Sequence, residues 1–324
     1  MKFRLFLLFV VSIGLAPGLF LRETPAPPDY SQIVSATSLL DEAAVLEGNQ
    51  RLTLTGAWHL TSPNEDFGSY SALVPMEDGG LLAFSDRGRY LRLPAPLFAG
   101  EQAEIGTVFP GGDDYKPMQD IEAAQRNPAT GQIWLGLESR NAILRMDSKF
   151  GSIVSHSPEA LRGWPVNGGA EALLRTEDDH WIVIGEFKGG DGRSSPAVAF
   201  HGDPVLGADS DNFRFVPPAG QYAVDMALLP DGRALILTRG VRIGWPFYFP
   251  LTLVVAEPRT IRPGAEWNWT ELARIEGPAP NENYEGMAVT GGDDGDPIAI
   301  WLISDSNGAQ LIQRTLLLRL EWDQ

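Results

Sequence analysis

From about residue 51 the chain alternates apolar and polar positions with period two: Leu52, Leu54 and Trp58 against Arg51, Thr53 and Thr55. That is the pattern of a half-buried strand. Hairpins then recur. Residues 70–75 and 81–88 flank a turn at Glu77 to Gly80, and residues 121–124 and 133–138 flank one at Asn127 to Gly131. Residues 170–174 and 181–186 flank Glu177 to Asp179, and residues 224–229 and 234–239 flank Pro230 to Gly232. Residues 285–289 and 300–305 make the fifth pair. Each hairpin is followed by at least one more apolar strand, such as 142–146 or 251–255. The first polar positions, Ser71, Glu122, Glu171, Asp225 and Glu285, lie 51, 49, 54 and 60 residues apart. A hairpin plus two further strands at near-constant spacing predicts an all-β fold, a β-propeller of four-stranded antiparallel blades. Five repeats predict five blades; six would need a blade not visible in the pattern. The fifth unit runs out after three strands, and strand 51–58 lacks a partner. The N-terminal strand is therefore expected to complete the last blade, which also removes open strand edges.

Composition narrows the function. The 324 residues include 35 Gly and 25 Pro, which suits many turns, and no cysteine, which excludes disulfides, thiolate metal sites and cysteine nucleophiles. A formal net charge of −17 argues against nucleic acid and anionic membrane surfaces as partners. Lys2 and Arg4 precede an apolar run from Leu5 to Leu21, so residues 1–22 read as a signal peptide or an N-terminal membrane anchor. Export is expected, to the periplasm, the outer face of the inner membrane, or outside the cell. Residues 23–48, rich in Pro, Ala and Ser, read as a linker with a short helix near 38–45, and residues 49–324 as one propeller domain.

The start of each first strand and the end of each second strand lie on one face of a propeller. One ring there is Ser71, Glu122, Glu171, Asp225 and Glu285; the other is Asp86, Glu138, Glu186, Arg239 and Asp305. So many carboxylates must raise one another's pKa or be neutralised by a cation. Oxygen donors without His or Cys favour Ca²⁺, or Mg²⁺, over zinc. The candidate ligands are Asp86, Asp120, Glu122, Glu138, Glu171, Glu186, Asp225, Glu285 and Asp305, with Asn167, Asn281, Asn283 and Asn307 as neutral neighbours. Arg87 and Arg239 are candidate salt-bridge partners of these acids or binding groups for an anionic substrate. A bland alternative stands beside this: polar residues at strand starts also cap backbone N–H groups or pair with the next blade.

The segments carrying these residues resemble the phytase-like family, labelled "esterase-like activity of phytase". The resemblance rests on Ser85-Asp86-Arg87-Gly88, Asp120-Ile121-Glu122 and Asn167-Gly168-Gly169-Ala170-Glu171, then on Asp225 through Arg239, Asn283-Tyr284-Glu285-Gly286-Met287, Ser304-Asp305-Ser306-Asn307 and Gln313 to Leu318. It covers roughly residues 50–322 and implies hydrolysis of a phosphate or carboxylic ester. Other chemistries find little support. His59, His156, His180 and His201 avoid the repeated strand ends, and no Gly-x-Ser-x-Gly elbow or Lys-bearing phosphate loop is present. Trp164 and Trp245 stand out from the core tryptophans as loop residues. Two readings remain. One is a metal-assisted ester or phosphoester hydrolase with Glu122, Glu171, Glu285, Arg87 and Arg239 at its site. The other is a non-catalytic propeller binding a small ligand or a protein.

Overall fold

The computed structural model describes residues 27–42, 46–48, 52–95, 97–98, 103–109, 120–242, 244, 248–275, 281–292, 296–308 and 313–323. The apolar run at 5–21 and Trp245 lie outside these residues, and no helix among them is long and apolar enough to cross a membrane.

Five sheets, each a meander of four antiparallel strands, make a five-bladed propeller. Blade one is Tyr70–Pro75, Leu81–Ser85, Arg89–Leu93 and Glu104–Thr107. Blade two is Ile121–Arg126, Ile133–Leu137, Ala142–Met146 and Val154–His156. Blade three is Ala170–Arg175, Trp181–Gly185, Ser195–Phe200 and Ser210–Phe215. Blade four is Gln221–Leu228, Ala234–Gly240, Leu251–Ala256 and Trp269–Ile275. Blade five runs Tyr284–Gly291, Ile298–Ser304 and Thr315–Trp322, and its outer strand is Leu52–Thr61 from the start of the chain. The N-terminal strand thus closes the ring, as the unpaired pattern at 51–58 predicts.

Three blades gain a fifth, outer strand. Glu266–Trp267 runs parallel to Ser210–Phe215, Leu46–Gly48 pairs with Trp269–Ile275, and Ser35–Ser38 pairs with Leu52–Thr61. The last two fall in the segment expected to be a linker, so the folded unit reaches back to Ser35. The open edge of an outer strand is the cause: its unpaired N–H and C=O groups accept an extended segment whatever its side chains. Of the helix expected near 38–45, the described residues show a 3₁₀ turn, Leu40–Glu42, and residues 43–45 lie outside them.

The core is divided among the blade interfaces. Five apolar clusters each join two neighbouring blades: Phe84 and Leu135 between one and two, Trp134 and Trp181 between two and three, Phe215 and Met226 between three and four, Leu237 and Met287 between four and five, and Tyr70 and Ile303 between five and one. Blade faces are covered on both sides, so inner strands such as Leu81–Ser85 and Trp181–Gly185 are buried at every position.

Candidate functional site

Every innermost strand carries the same irregularity. The register with the second strand slips between Tyr70 and Ala72, Ile121 and Ala123, Ala170 and Ala172, Ala223 and Asp225, and Tyr284 and Gly286. The bulged residues are Ser71, Glu122, Glu171, Val224 and Glu285. A bulge re-aims its side chain and ends regular pairing, which suits the rim of a channel. The residue after each bulge is packed against the neighbouring blade and is small in four of five cases: Ala72, Ala123, Ala172 and Gly286. A Cβ on Gly286 would come within 2.9 Å of the Ala72 backbone.

In blade four this small-residue position is Asp225, so the expected ring is corrected there. Asp225 does not occupy the rim position; Val224 does. Asp225 is fully buried, and its carboxylate accepts from Met226 N–H at 2.7 Å and from Met287 N–H at 2.6 Å. It ties blade four to blade five and is no ligand of the mouth. Burial pushes its carboxyl well above the usual range, against the pull of those two N–H donors.

The ends of the second strands bring Asp86, Glu138, Glu186, Arg239 and Asp305 to the same face. In blades one, two and five their N–H groups are anchored on the carbonyls of Ser69, Asp120 and Asn283. Seven ring carboxylates and Asp120 then act on one another. Burial, then Glu285, Asp86, Glu138 and Asp120, pushes the Glu122 carboxyl well above its ordinary value. Burial, then Glu122, Glu186 and Glu138, does the same to Glu171, which also shares a hydrogen bond with Glu138. Asp305 is pushed up to about 8 by burial and then by Glu285, with Asp86 adding and the Asn307 N–H and Arg239 opposing. Asp86 is raised chiefly by burial.

Oxygens of Asp120, Glu122 and Glu138 lie within 4.8 Å of one another. All three are half-buried, and Asp120 is steadied by accepting from Ser139 N–H at 3.0 Å. Glu138 accepts from Gly168 N–H, which locks one of its oxygens. A cluster of hard, anionic oxygens with no nitrogen or sulfur donor fits a Ca²⁺-type cation.

Arg239 neutralises the other side of the mouth. Its guanidinium bonds Glu186 at 2.6 Å, Glu285 at 2.5 Å and the Asn283 carbonyl oxygen, and its side chain is 11% exposed. Burial acts to lower Arg239, but Glu285 and Glu186 outweigh it and hold the charge in place. Asn283 also donates to Glu285 at 2.9 Å. Glu285 is raised by burial, and Arg239 is the main influence against that rise. Arg87, in contrast, is exposed, 3.9 Å from Asp86. Of the neutral neighbours, Asn167 and Asn307 are exposed, and Asn281 holds the Phe249 N–H at 3.0 Å. Trp164 packs edge-on against Phe187.

Blade four makes the mouth asymmetric in a way the spacing of acids did not reveal. Where other blades place Asp120 or Glu122, it places Tyr222 and Val224. Lys188, two residues beyond Glu186, lays its ammonium 4.3 Å from the Tyr222 ring centroid and donates to the Gln221 carbonyl at 3.0 Å. Burial lowers the Lys188 pKa. The sequence signal was the aromatic Tyr222 at the position of Asp120 and Asn283, visible only once the bulge is placed.

No curated protein matches the chain. Among solved structures it is similar to a luciferin-regenerating enzyme (12% identity over 89% of this chain and 95% of that one, TM-score 0.45). It is also similar to Myxococcus xanthus glutaminyl cyclase (9%, 84% and 97%, 0.45) and to regucalcin, a calcium-binding protein from Agrobacterium tumefaciens (14%, 88% and 94%, 0.44). The model of the family described as "esterase-like activity of phytase" matches residues 65–308, which hold every ring residue named above, and the chain belongs to this phytase-like family.

Proposed function

We propose that the protein is an exported propeller that hydrolyses phosphoesters or other esters at its acidic mouth, assisted by a divalent cation, with Ca²⁺ favoured. The observation that carries this reading is the convergence of Asp120, Glu122 and Glu138 within 4.8 Å inside a ring of mutually repelling carboxylates. These three residues would hold the cation. When bound it would neutralise the ring, draw an anionic substrate to an otherwise negative surface and acidify a water molecule. Glu171 and Glu285, whose carboxyls burial raises above their ordinary value, are the groups suited to take a proton from water. Arg239 positions Glu285 and Glu186 with its terminal nitrogens, whereas Arg87, exposed at the rim 3.9 Å from Asp86, is placed to meet a substrate. Lys188 adds a second cation beside the apolar Tyr222 and Val224 wall.

The test is thermal unfolding with and without Ca²⁺ or Mg²⁺. A rise in Tm is expected, and Glu122→Gln with Glu285→Gln is expected to abolish it; no shift with any divalent ion sinks the cation site. Turnover of a generic phosphomonoester or carboxylic ester then tests hydrolysis. The engagement of both terminal nitrogens of Arg239 by Glu186, Glu285 and Asn283 favours a second reading, a non-catalytic periplasmic propeller that binds a small ligand or a protein partner. Cation binding with neither ester hydrolysed by folded protein would select it.

A further inference from the structure

The innermost strands run from the acidic mouth to the far end of the channel. There, four residues beyond each bulge, stand Pro75, Arg126, Arg175, Leu228 and Val289. All five line one cavity of about 530 Å³. That volume lies in the range of small-molecule sites. Blades two and three contribute a guanidinium each, and the other three blades contribute apolar wall.

The arginines are only partly satisfied. The Arg126 side chain is 6% exposed, and the Nε of Arg126 and of Arg175 is buried with no hydrogen-bond partner among the described residues. One terminal nitrogen of Arg126 bonds Glu77 at 2.5 Å, and one of Arg175 bonds Asp179. Both carboxylates sit on exposed turns, with 71% and 69% of their side chains open to solvent. Such pairs are weakly held, whereas a buried N–H without an acceptor is costly. Glu177, also on the wall, is half-exposed and lies 3.8 Å from the exposed Arg259.

We propose that this far mouth binds a small organic carboxylate, its anionic end on Arg126 and Arg175 and its hydrocarbon body on Pro75, Leu228 and Val289. A planar carboxylate matches the fork of a guanidinium and can replace the exposed Glu77 and Asp179 carboxylates on the terminal nitrogens. The apolar three-fifths of the ring gives nothing to an inorganic anion, so the body of the ligand decides affinity. The site is independent of the acidic mouth and of any hydrolysis there.

The experiment is calorimetric titration of the full chain, at fixed ionic strength, with cyclohexanecarboxylate, acetate and inorganic phosphate. Cyclohexanecarboxylate is expected to bind at least tenfold more tightly than the other two. Arg126→Gln with Arg175→Gln is expected to weaken it at least tenfold. Glu77→Gln, on an exposed turn, removes a competing carboxylate without touching the wall and is expected to strengthen it severalfold; this arm remains decisive if the double variant does not fold. Absence of binding to the folded parent protein, equal affinity for the three anions, or weaker binding after Glu77→Gln would each overturn the proposal.

Discussion

Replacing Arg239 with Met keeps much of the buried side-chain volume and removes the guanidinium that bonds Glu186 and Glu285. Its partners Glu186 and Glu285 are 23% and 16% exposed, so water replaces little of what is lost. Removing one member of a buried pair destabilises by about 3–5 kcal/mol, because the remaining charge stays buried. At roughly 2 °C per kcal/mol for a domain of this size, the expected fall in Tm near neutral pH is about 6–10 °C. The loss should depend on pH in a defined sense. Glu285 is already raised by burial, and Arg239 is the main influence holding it down. Without Arg239 its folded pKa climbs further above the unfolded value. A group raised in this way favours the folded state below its unfolded pKa and loses that contribution as pH rises through its folded pKa. The variant should therefore approach the parent protein at pH 5 and fall furthest behind at pH 8. If the mouth holds a cation, saturating Ca²⁺ should restore part of the loss at pH 8. Differential scanning calorimetry from pH 5 to 8 reads all of this. A variant that matches the parent protein at pH 8, or lags by the same amount at every pH, would refute the assignment of Arg239 as the electrostatic clamp of the mouth.

Two further outcomes are expected. Asp225→Ala strands the Met226 and Met287 N–H groups in the core and should destabilise by about 2–6 kcal/mol in urea titrations, at about 1–3 kcal/mol per orphaned group; because Asp225 lies away from the rim, the Tm rise with Ca²⁺ should survive. Asp305, pushed up to about 8, takes up a proton on folding between its unfolded value of about 3.9 and 8, so its contribution to stability is full at the acid end and lost as pH rises to 8; Asp305→Asn should flatten the pH dependence of Tm between 6 and 8.

Much of the molecule is legible from the order of its residues. A blade is made from local hairpins, and each strand's fate follows from its own alternation and from the turn beside it. Turns such as Asn127 to Gly131 and Pro230 to Gly232 therefore mark the repeat, and the incomplete fifth unit implies closure by residues 52–61. The acids Glu122, Glu171, Glu285, Asp86, Glu138, Glu186 and Asp305 are recognisable because the repeat returns them to the same end of each hairpin. Tertiary structure decided what depends on a single residue of register or on a neighbouring blade. A bulge shifts every side chain beyond it to the opposite face, and nothing local in Ala223-Val224-Asp225 states that the bulge falls on Val224. Asp225 consequently reads as a rim acid until its two buried N–H partners are seen. The capture of Ser35–Ser38 and Leu46–Gly48 as outer strands, the clamp of Arg239 across two blades and the pairing of Arg126 with Arg175 at the far mouth are contacts between segments distant in the chain. Periodicity records which face a residue takes within its own strand; only ring closure determines which other residues share that face.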